Sequence, residues 1–171
     1  MAEESNSAEA QAQGNTPSGQ FGVQKVYIKD LSFETPNSPG IFQEKWTPAV
    51  SVDVANSATA LGEKLYEVVL SITITVRFGE KTAYLVEVQQ AGIFHLDGFP
   101  REAASRILGS VCPNILFPFA REVIADLAMR GGFPQLLLAP MNFDTLYMQH
   151  LEKAAGGAAA AAPAADTATK H

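Results

Sequence analysis

Between Tyr66 and Phe78 every even position is apolar (Tyr66, Val68, Leu70, Ile72, Ile74, Val76, Phe78), whereas Glu67, Ser71, Thr73, Thr75 and Arg77 fall between them. A period of two over that length predicts a long strand with one buried face. The stretch "FGEKT" then turns the chain. Thr82, Tyr84, Val86 and Val88 continue the inner face, opposite Leu85, Glu87 and Gln89, so the two runs read as a hairpin. Val50, Val52 and Val54 mark a shorter strand upstream. "FGVQKVYIKDLSFE" reads as a further strand with weaker alternation, because Lys25 and Lys29 interrupt its odd face, and "TPNSPG" is an irregular connection.

The second half changes period. Pro100 opens "REAASRILGSVC" and Pro113 starts the next helical segment, in which Phe119, Val123, Ile124 and Leu127 form one stripe. Gly131-Gly132 ends it, and Pro118 is placed to kink it. Asn142 reads as the N-cap of a last helix that turns Phe143, Leu146, Tyr147 and Leu151 inward. Strands first and helices after predict an α+β fold, a four-stranded antiparallel sheet with helices packed on one face. Residues 1–20 are expected to be a disordered acidic tail, 21–153 the folded domain, and 154–171 a disordered Ala-rich tail.

Composition narrows the function classes. Twelve Lys and Arg against 18 Asp and Glu give a net charge of -6, which lacks the basic footprint of a nucleic-acid binder. One cysteine excludes an intrachain disulfide. The N-terminal stretch has neither the basic start nor the apolar centre of a signal peptide, and no apolar run approaches the roughly 20 residues of a membrane span. A soluble cytoplasmic protein is the expectation.

Little in the sequence carries catalytic chemistry. Neither GxxxxGK[ST] nor GxGxxG occurs, and one Cys with three His shows no metal-ligand spacing, so no cofactor and no metal are expected. His95 and Asp97 in "FHLDG" read as a polar turn rather than an acid/base pair, and Cys112 as a buried structural thiol rather than a nucleophile. The chain is not expected to be an enzyme.

Two surface features remain. The segment "GGFPQLLLAPMNF" is rich in large apolar side chains, yet Pro134 and Pro140 bar it from a regular helix or an inner strand. Its side chains either pack the core or form an exposed apolar patch of the kind that marks a binding site. Trp46, before Pro48, is open to the same two readings. The second feature is acidic. A regular first strand would put Asp30, Ser32 and Glu34 on one face, and Leu85, Glu87 and Gln89 also point outward, as a solvated sheet face or a docking plate for a basic partner.

"VYIKDLSFETPNSP", "YEVVLSITITV", "AYLVEVQQAGIF" and "CPNILFPFAREVIADLAMRGGFPQLLLAPMNFDTLY" together resemble the SecB family of bacterial protein-export chaperones, over about residues 21 to 151. The resemblance implies an ATP-independent holdase. Such a protein keeps precursor proteins unfolded in the cytosol and delivers them to SecA, the translocase ATPase. It also implies a homotetramer, a dimer of dimers with helices between two eight-stranded sheets. Asp30, Glu34, Leu85 and Glu87 match the family's SecA contact, and Val86, Val88 and Gln90 match positions linked to assembly. Phe133, Leu136, Leu137 and Leu138, with Phe42 and Trp46, would wall the groove for unfolded clients. Val86 stands where the family often has cysteine, and the Ala-rich tail departs from the polar tails of other members. An alternative role is a chaperone of the same fold dedicated to one client, such as a toxin–antitoxin pair.

Overall fold

The computed structural model describes residues 19–160. Four antiparallel strands, β1 (Gln20–Glu34), β2 (Ala49–Ala60), β3 (Leu65–Phe78) and β4 (Lys81–Asp97), form one sheet in the order β1-β4-β3-β2. Both edges are therefore occupied by the strands with the weakest sequence pattern. The hairpin read from alternation is β3–β4, and its turn places Gly79 at φ 55, which favours glycine. β2 runs further than its three valines indicate, pairing without a break from Ala49↔Arg77 to Ala60↔Tyr66.

β1 owes its blurred alternation to two bulges. Register shifts between Val23 and Lys25 and between Ile28 and Asp30 leave Gln24 and Lys29 without an opposite residue. Each extra residue flips the side-chain parity. Phe21, Val23, Val26, Ile28, Leu31 and Phe33 consequently all share the face of Val86 and Val88, although they do not alternate in sequence. Asp30, Ser32 and Glu34 lie beyond the second bulge and keep the common face expected of them, opposite Gln89, Glu87 and Leu85.

One continuous helical run covers the inner face. It comprises α1 (Arg101–Arg106), a π-helical turn (Ile107–Val111) and α2 (Cys112–Arg130), packed on β3 and β4. By length and composition this 30-residue run is apolar enough to cross a membrane, but here Leu116, Ala120, Ile124 and Ala128 press it onto the sheet. Small residues at every second contact let helix and sheet approach closely. The buried stripe thus differs from the sequence reading: Ile124 is fully buried, but Phe119 is 48% exposed on the opposite flank. The core joins these residues to Val68, Leu70, Ile72, Ile74 and Val76 of β3.

α3 (Phe143–Ala160) follows a loop and begins as the sequence indicates, with the Thr145 N–H donating to Asn142 Oδ1 at 3.0 Å. It runs to Ala160, so residues 154–160 are helical where a disordered tail was expected to begin; residues 1–18 and 161–171, which hold most of both tails, lie outside the described residues. Of its four apolar positions only Phe143 is buried and Tyr147 half-buried, whereas Leu146 and Leu151 are more than 40% exposed. Tyr147 lies on Gly109, where an added Cβ would overlap the ring, and donates to Ser105 Oγ at 2.9 Å. Arg106 pairs with Asp144 at 3.1 Å. The π-turn exposes the Leu108 carbonyl, which accepts from Asn56 Nδ2 of β2 at 3.1 Å.

Candidate binding surfaces

The loop after α2 resolves the two readings residue by residue. Phe133 and Leu138 are each 5% exposed and belong to the core, Leu136 is half-buried against it, and Leu137 is 62% exposed. The four side chains therefore do not share one wall. Phe133 is the centre of an aromatic cluster: its ring lies 4.7 Å from Tyr84, 5.1 Å from Phe42 and 6.0 Å from Trp46. Trp46 meets Phe78 edge-on at 4.8 Å, and Tyr84 stacks on Phe33 at 5.6 Å. Tyr84 is buried, and Phe42 and Trp46 are about half exposed, so the cluster is rooted in the core and opens to solvent at its top. Burial pushes the Tyr84 hydroxyl above its ordinary range.

Leu137 points the other way. With Met129, Met141 and Phe117 it lines a concavity of about 640 Å3 between α2 and the loop, edged by Arg121, Glu122 and Asp126. A second concavity, of about 520 Å3, separates β2 from α3 and is lined by Val54, Leu108, Phe143, Leu146 and Tyr147. Neither of these was legible beforehand. Phe78 and Tyr84 also escaped notice as floor residues, although both are aromatics near a strand end.

Among the described residues, no helix covers the opposite face of the sheet. Its register rows read Asp30–Gln89–Ser71–Ala55, Ser32–Glu87–Thr73–Asp53 and Glu34–Leu85–Thr75–Ser51. Asp30, Glu34 and Glu87 are exposed and Leu85 is half-buried among them, so the four expected docking residues form one acidic plate around an apolar centre, with Asp53 as a further carboxylate. Further along the face, Tyr27 lies in one row with Ala91 and Val69. Its hydroxyl donates to Glu67, which Lys29 also contacts at 2.7 Å. Hydrogen bonds from Lys29 and then Tyr27 hold the Glu67 carboxyl below its usual range, and the bond to Glu67 holds the Tyr27 phenol above its own.

Val86, Val88 and Gln90 are 0%, 1% and 2% exposed, buried by their own chain. Gln90 Nε2 donates to the Tyr27 carbonyl at 2.9 Å, just before the second bulge of β1. His95 and Asp97 close β4, and Asp97 is held by Lys64 at 2.8 Å, which is an end-of-strand ion pair. Cys112 is 0% exposed, and burial pushes its thiol up to about 12. Ellman's reagent should therefore leave the folded protein unmodified at pH 8 and react only as it unfolds; fast labelling under native conditions would contradict this packing. The buried neutral thiol favours the fold fully below its ordinary pKa, and that contribution is lost as pH rises from about 9 toward about 12.

Residues 12–154 match the family model described as SecB, preprotein translocase subunit SecB. The chain belongs to the SecB family. It is 52% identical over 162 residues to the protein-export protein SecB of Nitrosococcus oceani, covering 94% of this chain and 98% of that one. With the protein-export protein SecB of Methylococcus capsulatus it shares 56% over 147 residues, covering 86% and 95%. Among solved structures, a SecB-like chaperone of Mycobacterium tuberculosis, in complex with a ChAD peptide from the HigA1 antitoxin, superposes with a TM-score of 0.61. That match has 14% identity and covers 71% of this chain and 90% of that one, so it places the two in a common SecB-like fold.

Proposed function

We propose that this chain is an ATP-independent export chaperone that holds precursor proteins unfolded in the cytoplasm and passes them to SecA. The observation that carries the client role is the aromatic cluster, in which Phe42 and Trp46 stand half-exposed over buried Phe133 and Tyr84. A rooted, open apolar surface binds non-native chains without fitting one sequence. Phe42, Trp46, Phe133 and Leu136 to Leu138 serve the client role in different ways. The half-exposed aromatics touch the client there, Leu137 offers a separate apolar contact in the concavity beside α2, and the buried Phe133 and Leu138, with half-buried Leu136, fix the loop. Binding only the unfolded form suppresses folding by mass action, without nucleotide.

SecA docks on the acidic plate of Asp30, Glu34, Leu85 and Glu87, with complementary charge steering its approach. Assembly as a homotetramer, a dimer of dimers, draws on apolar surface that the protomer leaves open. Phe21, Val23, Ile28 and Leu31 of the β1 edge are 37–46% exposed, and Phe119 and Met129 lie on the free flank of α2. Val86, Val88 and Gln90 support that assembly from beneath α2 and beside β1. Dedication to a single antitoxin is the weaker reading, since identity above 50% is with protein-export proteins.

Calorimetry and light scattering against one model chain, kept unfolded in one sample and native in the other, test the client role. Binding to the unfolded form alone, without ATP and at about one chain per tetramer, is the expected result. Equal affinity for both forms would remove the chaperone reading.

A further inference from the structure

Glu67 of β3 holds two side chains of β1 from across β4. Its carboxylate accepts the Tyr27 hydroxyl on Oε1 and the Lys29 ammonium on Oε2, the latter at 2.7 Å. Glu67 is 14% exposed, against 38–51% for the acid of every other ion pair among the described residues, so this is not an ordinary surface pair. Tyr27 and Lys29 straddle the entry to the second bulge of β1, where the register passes from Ile28↔Gln90 to Asp30↔Gln89 and Lys29 is the extra residue. From the other face Gln90 Nε2 donates to the Tyr27 carbonyl at 2.9 Å. The bulge is therefore tied on both faces of the sheet. It needs such ties, because β1 is an edge strand and within the protomer only β4 holds its backbone. Its position also decides what the outer face presents. Without the extra residue, Asp30, Ser32 and Glu34 would fall opposite Val88, Val86 and Tyr84 and turn toward the core.

We propose that Glu67 is a positioning residue for the docking of SecA: by holding Tyr27 and Lys29 it keeps the bulge at Lys29, and the bulge keeps Asp30 and Glu34 on the outer face. The inference rests on the docking role proposed above for the acidic plate. Glu67 acts through β1 and makes no contact with the partner itself. Charge alone gives the opposite expectation for Lys29. Removing a cation beside an acidic plate strengthens the attraction of a partner of complementary charge, whereas removing a tie on the bulge weakens docking. Tyr27 separates the two effects in another way, since its hydroxyl carries no charge and its loss leaves the potential of the plate unchanged.

The test measures binding of the full-length protein to SecA by surface plasmon resonance. Glu67→Gln, Tyr27→Phe and Lys29→Gln are each expected to bind about 3- to 10-fold more weakly than the parent, the effect of losing one part-exposed hydrogen bond. Tyr27→Phe combined with Glu67→Gln should be no weaker than Glu67→Gln alone, because both act through one contact. Affinity for an unfolded client should stay at the parent value, since Phe42 and Trp46 lie on the other face. Hydrogen exchange read by mass spectrometry should quicken over residues 28–34 and not over β2, a change that a direct contact by Glu67 would not produce. Circular dichroism checks folding, and Tyr27→Phe, which keeps both ring and charge, carries the test if Glu67→Gln does not fold. A Lys29→Gln variant that binds SecA as tightly as the parent or tighter, or a Tyr27→Phe variant at parent affinity, overturns the positioning role. A parent protein that does not bind SecA would instead overturn the docking reading on which it rests.

Discussion

Replacing Phe133 by alanine is expected to destabilise the protein by about 3–5 kcal/mol, the usual cost of removing a buried phenylalanine. The ring is 5% exposed and touches three other aromatics, so its loss leaves a void that rigid neighbours cannot fill. The effect reaches beyond stability. Phe133 is the point at which the loop grips Tyr84 of β4, and the positions of Phe42 and Trp46 depend on it. Urea unfolding should show a lower midpoint, and client affinity should fall in conditions where the variant remains folded. Phe133→Leu should recover most of the stability but not the aromatic seat. A loss below about 1 kcal/mol would mean that the loop is not anchored where the rings meet.

The second large effect concerns the plate. Reversing Asp30 and Glu87 together to lysine is expected to weaken SecA binding about 10- to 100-fold at low salt, with the gap narrowing as salt rises. Both side chains are exposed on the helix-free face and diagonal to each other across β1 and β4, so the fold should tolerate the change. Client capture should persist, because the aromatic cluster is on the other side of the sheet. Surface plasmon resonance with SecA, paired with an unfolded-client assay, separates the two. Equal loss of both activities would argue against separate surfaces.

The sequence shows some of this arrangement plainly and hides the rest for identifiable reasons. β3 and β4 were legible because both sides of the strand have a definite solvent, one dry and one wet, and period two records that directly. The acidic plate followed from the same alternation. β1 was blurred because its bulges at Gln24 and Lys29 reset the parity, which no fixed-period reading can follow. The face of α2 was misjudged because its sheet contacts are made by Ala120 and Ala128, residues too small to mark a stripe, whereas Phe119 is exposed. The last helix was capped where Asn142 indicated, yet its docking depends on Gly109, whose significance lies in the Tyr147 ring resting on it. The loop illustrates the general difficulty: four large apolar side chains in six residues divide among core, core edge and solvent, and only tertiary packing decides which.

The two proposed surfaces are carried by opposite faces of one sheet, so a single layer of backbone separates them. A client over Phe42 and Trp46 and a translocase component over Asp30 and Glu87 make no steric claim on each other. On the proposed reading a ternary complex can therefore form in either order, with the cargo still held while the receiver docks. Transfer need not begin with competition for a common site; it can begin with both parties bound, and the ATPase then works on a cargo already held close to it.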